Sequence, residues 1–200
     1  MAVDSVPTLS GPALCLVSGP TGSGKSRWAE HLAESSPLDV VFLATGPSLP
    51  DDPSWRRRVE RHRRRRPPHW RCREVGGDLT PGLEELEPGQ IALVDSIGTW
   101  VAAHLELDAM AWAQRWEGLQ GSIHRSNAPL ILVCEEVGWG VVPPTPVGMR
   151  FRERLCAVQG WLSAAADSSW LVLQGRAIDL LAMSVPVPTE PPGSPPAPPS

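Results

Sequence analysis

The sequence predicts an α/β domain in which a mainly parallel sheet is flanked by helices, and three observations predict it. Short apolar runs alternate with stretches of helical period along the chain. Those runs are apolar throughout, so both faces of each strand must be covered by other elements. Finally, a glycine-rich turn, "GPTGSGKS" at 19–26, joins the first apolar run to the first helical stretch. Strand, glycine loop and helix in that order make a phosphate-binding unit, which places the domain in the P-loop nucleotide-hydrolase-like class.

Taken in order, residues 1–12 read as a flexible leader, followed by the strand "ALCLVSG" (13–19) and a helix over 25–35. "DVVFLAT" (39–45) is the next strand. A basic helix over 54–65 ends at Pro67 and Pro68, because the residue before a proline is pushed out of the helical region. A short helix over 79–86 precedes the strand "IALVDS" (91–96), and helices follow over 98–104 and 109–126. "PLILVCE" (129–135), a helix over 148–166 and "SWLVLQG" (169–175) complete a single domain spanning 13–182. Residues 183–200 form a proline-rich tail, and its last sixteen residues hold eight prolines. Such a composition excludes helix and inner strand and leaves a disordered, partly polyproline II extension. No internal repeat interrupts this order.

Composition narrows the function classes. At 42% apolar and 20% charged residues, the 200-residue chain is an ordinary globular protein with enough length for a substantial core. A net charge of −4 speaks against coating a polyanion, so no nucleic-acid partner is expected. The four cysteines (Cys15, Cys72, Cys134, Cys156) form no C-x-x-C pair, and three lie in apolar or semi-apolar runs. They read as small hydrophobes in a reducing compartment. No apolar run reaches the roughly 18 residues that span a bilayer, and the N-terminus lacks the pattern of a signal peptide. A cytoplasmic protein with no stable membrane insertion is expected. The nine tryptophans are scattered, which fits core packing.

The glycine loop carries the most specific chemistry. Gly19, Gly22 and Gly24 let backbone N–H groups curl around phosphate oxygens, and the helix that follows adds its positive end. Pro20, Thr21 and Ser23 complete the loop. Lys25 reaches toward β- and γ-phosphates, and the Ser26 hydroxyl is placed to hold Mg²⁺. Seventeen arginines accompany this single lysine; a compact ammonium is kept where it must enter between phosphates. A second carboxylate at a strand end should help order the metal. Asp95, ending "IALVD", is the first candidate, and Glu135 and Glu136 after "LILVC" come next.

"RRRVERHRRRRPPHWR" (56–71) holds nine arginines around His62. On a helix, Trp55, Val59 and His62 share one face, which turns the histidine toward the body of the protein. Neighbouring guanidinium groups repel an imidazolium and so keep the ring neutral, a competent nucleophile toward phosphorus. The same groups can grip the phosphates under attack. A solvated basic face with a bystander histidine is the competing reading of this stretch.

Four segments together resemble the bifunctional adenosylcobinamide kinase/adenosylcobinamide-phosphate guanylyltransferases of cobalamin biosynthesis. They are "SGPTGSGKSRWAE", "FLATGPSLPDD", "RVERHRRRRPPHWRCRE", and "EEVGWGVVPP" followed by "RFRERL" and "AAADSSWLVLQG". The resemblance runs from about 13 to 175 and implies an enzyme with two activities on one corrinoid. It would phosphorylate the aminopropanol hydroxyl of adenosylcobinamide and then move GMP from GTP onto that phosphate, giving adenosylcobinamide-GDP. The resemblance further implies that loop 19–26 binds the nucleoside triphosphate, ATP or GTP. Ala44, Thr45 and Gly46 would line the nucleotide site, and His62 would carry GMP as a phosphoramidate. Arg63, Arg64, Arg65 and Arg66 would contact nucleotide, and Glu74 and Asp95 would supply acidic contacts to guanine nucleotide and metal. A homotrimer is the implied assembly.

The chain departs from the family pattern at several points. Glu135 stands where Asn often precedes Glu-Val-Gly, Gln159-Gly160 replaces Asn-Gln in the long helix, and Cys156 replaces a small residue. Arg61 replaces the first of two adjacent histidines, leaving His62 as the candidate nucleophile. A P-loop small-molecule kinase lacking guanylyl transfer is the alternative.

Overall fold

The computed structural model describes residues 9–47, 51–52, 57, 60, 64 and 66–187. Seven strands build one sheet: β1 (Leu14–Gly19), β2 (Asp39–Ala44), β3 (Arg71–Glu74), β4 (Gln90–Asp95), β5 (Leu130–Glu135), β6 (Ser168–Leu173) and β7 (Arg176–Asp179). Their spatial order is β3-β2-β4-β5-β1-β6-β7, parallel throughout except for the β6–β7 hairpin. Around the sheet lie α1 (Lys25–Glu34), α2 (Leu79–Glu84), α3 (Ile97–Ala103), α4 (Ala109–Arg125), α5 (Pro146–Ala165) and α6 (Leu180–Met183).

All five strands expected from apolar runs are present, with ends within two residues of the expected ones. Two others carry no such run. β3, "RCRE", is a polar edge strand paired only to β2, so it needs no apolar faces. β7, "RAID", follows a tight turn in which Gln174 and Gly175 both have positive φ, 50° and 75°. Most of the basic helix expected over 54–65 lies outside the described residues. Arg57, Glu60 and Arg64 are helical, and Arg64 Nε donates to Glu60 Oε1 at 2.7 Å, an i,i+4 pair. Within the expected leader, Leu9 is buried and its carbonyl accepts from Ser36 Oγ at 2.7 Å. The remainder of the leader, up to residue 8, and the tail from 188 lie outside the described residues.

Alternating side chains of β1 explain the two layers. Leu14 and Leu16 point into a core with Leu79, Trp100, Leu119, Leu155 and Leu162, so α2 to α5 cover that face. Cys15 and Val17 point the other way, against Ala29, Leu32 and Ala33 of α1 together with Phe42 and Trp170. All six residues of β1 are buried, and each fully buried aliphatic side chain contributes about 1.5–3 kcal/mol. Tryptophans thicken the first layer: Trp100 packs near Trp112 and Trp116, and Trp116 meets Trp161 edge-on at 5.2 Å. Among the described tryptophans, Trp139 is the exception to core packing, at 63% exposed. The cysteines also divide. Cys15 and Cys134 are buried, whereas Cys72 and Cys156 are exposed free thiols, because their positions on β3 and α5 face away from the core.

Candidate functional site

The phosphate loop begins where β1 runs out of sheet partners. Gly19 has φ +156°, and a Cβ there would lie 2.3 Å from the Val172 carbonyl oxygen, so β6 leaves room only for glycine. Gly22 (φ 76°) and Gly24 (φ 99°) adopt the left-handed conformation that turns successive N–H groups to one side. The loop is pinned at three points: Ser23 N donates to Pro20 O (3.2 Å), Gly175 N to Ser23 O (3.2 Å), and Glu136 N to Gly19 O (2.9 Å).

Gly24 caps α1 without a side chain, and no acidic residue occupies the first turn. The N–H groups of that turn therefore have no capping side chain, and the helix end is positive. Lys25 is only 7% exposed, with Nζ 3.4 Å from Pro20 O. Ser23 Oγ is buried without a hydrogen-bond partner among the described residues. A buried ammonium, an orphaned hydroxyl and an uncapped helix end together fit a polyphosphate with its metal, and Ser26, one residue beyond Lys25, is partly exposed.

The carboxyl ends of the neighbouring strands meet the loop along the same edge. Register pairs Ala44 with both Glu74 and Asp95, so these three residues form one row across β3, β2 and β4. Asp95 is level with Val133, and Glu135 with Gly19, which sets Glu135 directly beside the loop. Strand order reverses around β1, the kind of crevice where open α/β sheets take ligands. At the opposite end, a cleft of about 180 Å³ opens between Leu14, Leu130, His124 and Asp167. It lies at the amino ends of β1 and β5, away from the loop.

Thr45 and Gly46 follow the row on β2. Thr45 is fully buried, and its hydroxyl is committed inward: it donates to Ser96 O (2.6 Å) and accepts from Ser96 N (2.9 Å). The Thr45 and Thr99 hydroxyls meet at 2.5 Å. Ser96 caps α3 in a capping box with Thr99. Ser96 is a usual N-cap residue, but threonine at the third helical position is not the glutamate or glutamine that marks a capping box in sequence, so the box emerges only in the structure. Glu135 completes the network. Ser96 Oγ donates to Glu135 Oε1 (2.6 Å), and Gly98 N donates to Glu135 Oε2 (2.9 Å). Bonds to a charged acceptor contribute about 1.5–3 kcal/mol each, less where solvent competes. Glu136, the other reserve carboxylate, accepts from Gln159 Nε2 (2.9 Å) and Gly138 N (2.7 Å). Gln159, one of the departures noted above, thus holds the base of the loop that carries exposed Trp139, Val141 and Val142.

The segment holding His62 is only partly described. His62, Arg63 and Arg65 lie outside the described residues, while Arg64 is exposed on its helix. Arg66 lays its guanidinium over Phe42, 3.5 Å from the ring centroid. Just beyond, Trp70 Nε1 donates to Glu34 Oε2 at 2.8 Å, tying the stretch to α1. Burial raises the Cys134 thiol well above its ordinary value, with Glu135 and Glu136 adding to the shift. Burial likewise pushes the Cys15 thiol to about 11. Both stay protonated and are poor nucleophiles.

Comparison with known proteins adds to this geometry. A family model described as cobinamide kinase / cobinamide phosphate guanyltransferase matches residues 15–180. The bifunctional adenosylcobalamin biosynthesis protein CobU of Escherichia coli (strain K12) is 32% identical over 182 residues, 84% of this chain and 99% of that protein. The corresponding protein CobP of Pseudomonas aeruginosa is 37% identical over 155 residues, 75% of this chain and 84% of that protein. Among solved structures, an ATPase of a type III secretion system of pathogenic bacteria matches with TM-score 0.56 at 13% identity. The match covers 80% of this chain and 52% of that one, and it bears on the fold alone. EscN, the assembled type III secretion ATPase of enteropathogenic E. coli, is similar with TM-score 0.52 at 13% identity, covering 82% of this chain and 44% of that one.

Proposed function

The chain belongs to the cobinamide kinase / cobinamide phosphate guanyltransferase family, and from that premise we propose how its own residues carry the two reactions. The family's enzymes phosphorylate cobinamide and transfer a guanylyl group to cobinamide phosphate. The observation that carries the proposal is the buried Lys25 at an uncapped, acid-free helix end, beside a row of strand ends bearing Asp95 and Glu74.

In this reading, residues 19–26 hold the triphosphate of ATP or GTP, and Lys25 neutralises charge on the phosphoryl group in transit. Ser26 and Asp95 would hold Mg²⁺, which would supply positive charge against the phosphate oxygens. Ala44, Thr45 and Gly46 line the nucleotide; Thr45 acts through its backbone, since its hydroxyl is used within the protein. Glu74 is exposed at the end of the edge strand, and in this reading it meets the guanine nucleotide.

His62 is the nucleophile of the second reaction. Its ring nitrogen forms a bond to the α-phosphorus of GTP as the bond to the β-phosphate oxygen breaks and pyrophosphate leaves. The phosphate of adenosylcobinamide phosphate then attacks the same phosphorus, the N–P bond breaks, and adenosylcobinamide-GDP forms. Arg63, Arg64 and Arg65 supply charge for the triphosphate. The active assembly is a homotrimer in the cytoplasm. Among the described residues, no helix is long and apolar enough to cross a membrane. Net charge −4 favours a small-molecule substrate over nucleic acid.

Incubation with α-labelled GTP tests the covalent step. Acid-labile, alkali-stable label on the protein is expected, chased by adenosylcobinamide phosphate and absent from His62→Ala. If the wild type takes up no label while it still phosphorylates cobinamide, the protein is a kinase lacking guanylyl transfer.

A further inference from the structure

Glu135 sits at a strand end that touches both the phosphate loop and the turn after β4. Its backbone is level with Gly19 of the phosphate loop, and the next residue's N–H donates to Gly19 O at 2.9 Å. Its side chain reaches the other way, across β5 to the turn after β4. There Oε1 accepts from Ser96 Oγ (2.6 Å) and Oε2 from Gly98 N (2.9 Å). Ser96 is the residue after Asp95, and its backbone N–H and carbonyl both bond the Thr45 hydroxyl. Glu135 therefore joins three strand ends: its backbone lies beside β1, and its carboxylate holds the turn after β4 that in turn bonds Thr45 after β2. Room for it exists because residue 98 is glycine: a Cβ at Gly98 would lie 2.1 Å from Glu135 Oε2.

Both oxygens are engaged with the protein, an arrangement that suits a brace and leaves a poor metal ligand. We infer that Glu135 is a positioning residue, holding the Asp95–Ser96 turn in register with the phosphate loop through its two hydrogen bonds. The part played by Asp95 rests on the function proposed above; the brace itself rests on the Glu135, Ser96 and Gly98 contacts. Glutamine can replace Glu135 without loss of the brace, since its oxygen accepts from Gly98 N and its amide donates to Ser96 Oγ. A residue acting through negative charge would not survive that change.

The test measures cobinamide phosphorylation at varied nucleotide and Mg²⁺ in the full chain, with thermal unfolding of each variant as the control for folding. Glu135→Ala is expected to lower kcat by roughly ten- to a hundredfold, the cost of a small misplacement of reacting groups. Nucleotide KM should change little, because the loop is intact, whereas the Mg²⁺ concentration for half-maximal rate should rise several-fold, because Asp95 is displaced with its turn. Glu135→Gln should restore kcat to within about threefold of wild type, a small change in barrier. Gly98→Ala keeps the carboxylate but evicts it from the turn, so it should reproduce the Glu135→Ala loss, and the double variant should add nothing further. It also serves if Glu135→Ala does not fold.

Two results overturn the inference: a Gln variant as impaired as the Ala variant, or full activity in Gly98→Ala. Asp95→Asn is assayed alongside. Full activity there removes the role proposed for Asp95, and leaves the Ala, Gln and Gly98 comparison to decide on the brace.

Discussion

Arg66 stacks its guanidinium on the ring of Phe42, 3.5 Å from the centroid, and so fastens the end of the arginine run to a fully buried residue of β2. Its Nη1 also lies 4.0 Å from Cys72 Sγ on the edge strand. The last arginine of the run is thus tied to both β2 and β3.

Replacing Arg66 should therefore affect the guanylyl step through geometry. Arg66→Ala forfeits a cation–π contact of about 0.5–2 kcal/mol. We expect kcat for guanylyl transfer to fall several-fold with little change in GTP KM, and cobinamide phosphorylation to fall less. Arg66→Lys should be intermediate, because an ammonium lacks the flat face that stacks. A large rise in GTP KM at unchanged kcat would instead make Arg66 a phosphate contact.

Lys25 carries its charge into a buried position where, among the described residues, no carboxylate pairs with it. Such a charge costs stability in the unliganded protein. Lys25→Met should lower cobinamide phosphorylation about a hundredfold or more while leaving the melting temperature unchanged or raised. Parallel loss of activity and melting temperature would count against a role in phosphate chemistry.

His104 gives a stability effect with a defined sign. It is buried at the end of α3, with Nδ1 2.8 Å from Trp100 O. Burial holds its pKa below 6.5, opposed by the bond to Trp100 O and modulated by Arg115, Asp78 and Arg154. Below pH 6.5 the unfolded chain binds this proton and the folded one resists it, so stability is full above that value and falls as pH drops. Thermal unfolding from pH 8 to about 5 should show a shallower loss for His104→Asn, which keeps a donor near Nδ1 but cannot titrate. Equal slopes for variant and wild type would refute the assignment.

The β1–loop–α1 unit was legible in the sequence because everything it needs is contiguous. An apolar run, three glycines with special backbone angles and a lysine at a set spacing declare one conformation, and the structure repeats it over Leu14–Glu34. The buried strands were legible for a related reason, since only a covered strand tolerates continuous apolarity. β3 escaped notice because an edge strand needs no such pattern, and β7 because its four residues are specified by the turn before them. Asp95 was singled out as a strand-end carboxylate, but Glu135 in the same setting spends both oxygens inside the protein.

The sequence by itself determined the class of sheet, the phosphate loop, and through its motifs the family. Only the tertiary structure decided that Glu74, Ala44 and Asp95 share a row, that Arg66 rests on Phe42, and that Glu135 bonds Ser96, 39 residues earlier. The division has a physical cause. Backbone preferences act over a few residues and are written in residue type, whereas the pairing of distant side chains depends on strand order and register. Those are set by many weak contacts acting together, and no short stretch of sequence contains them.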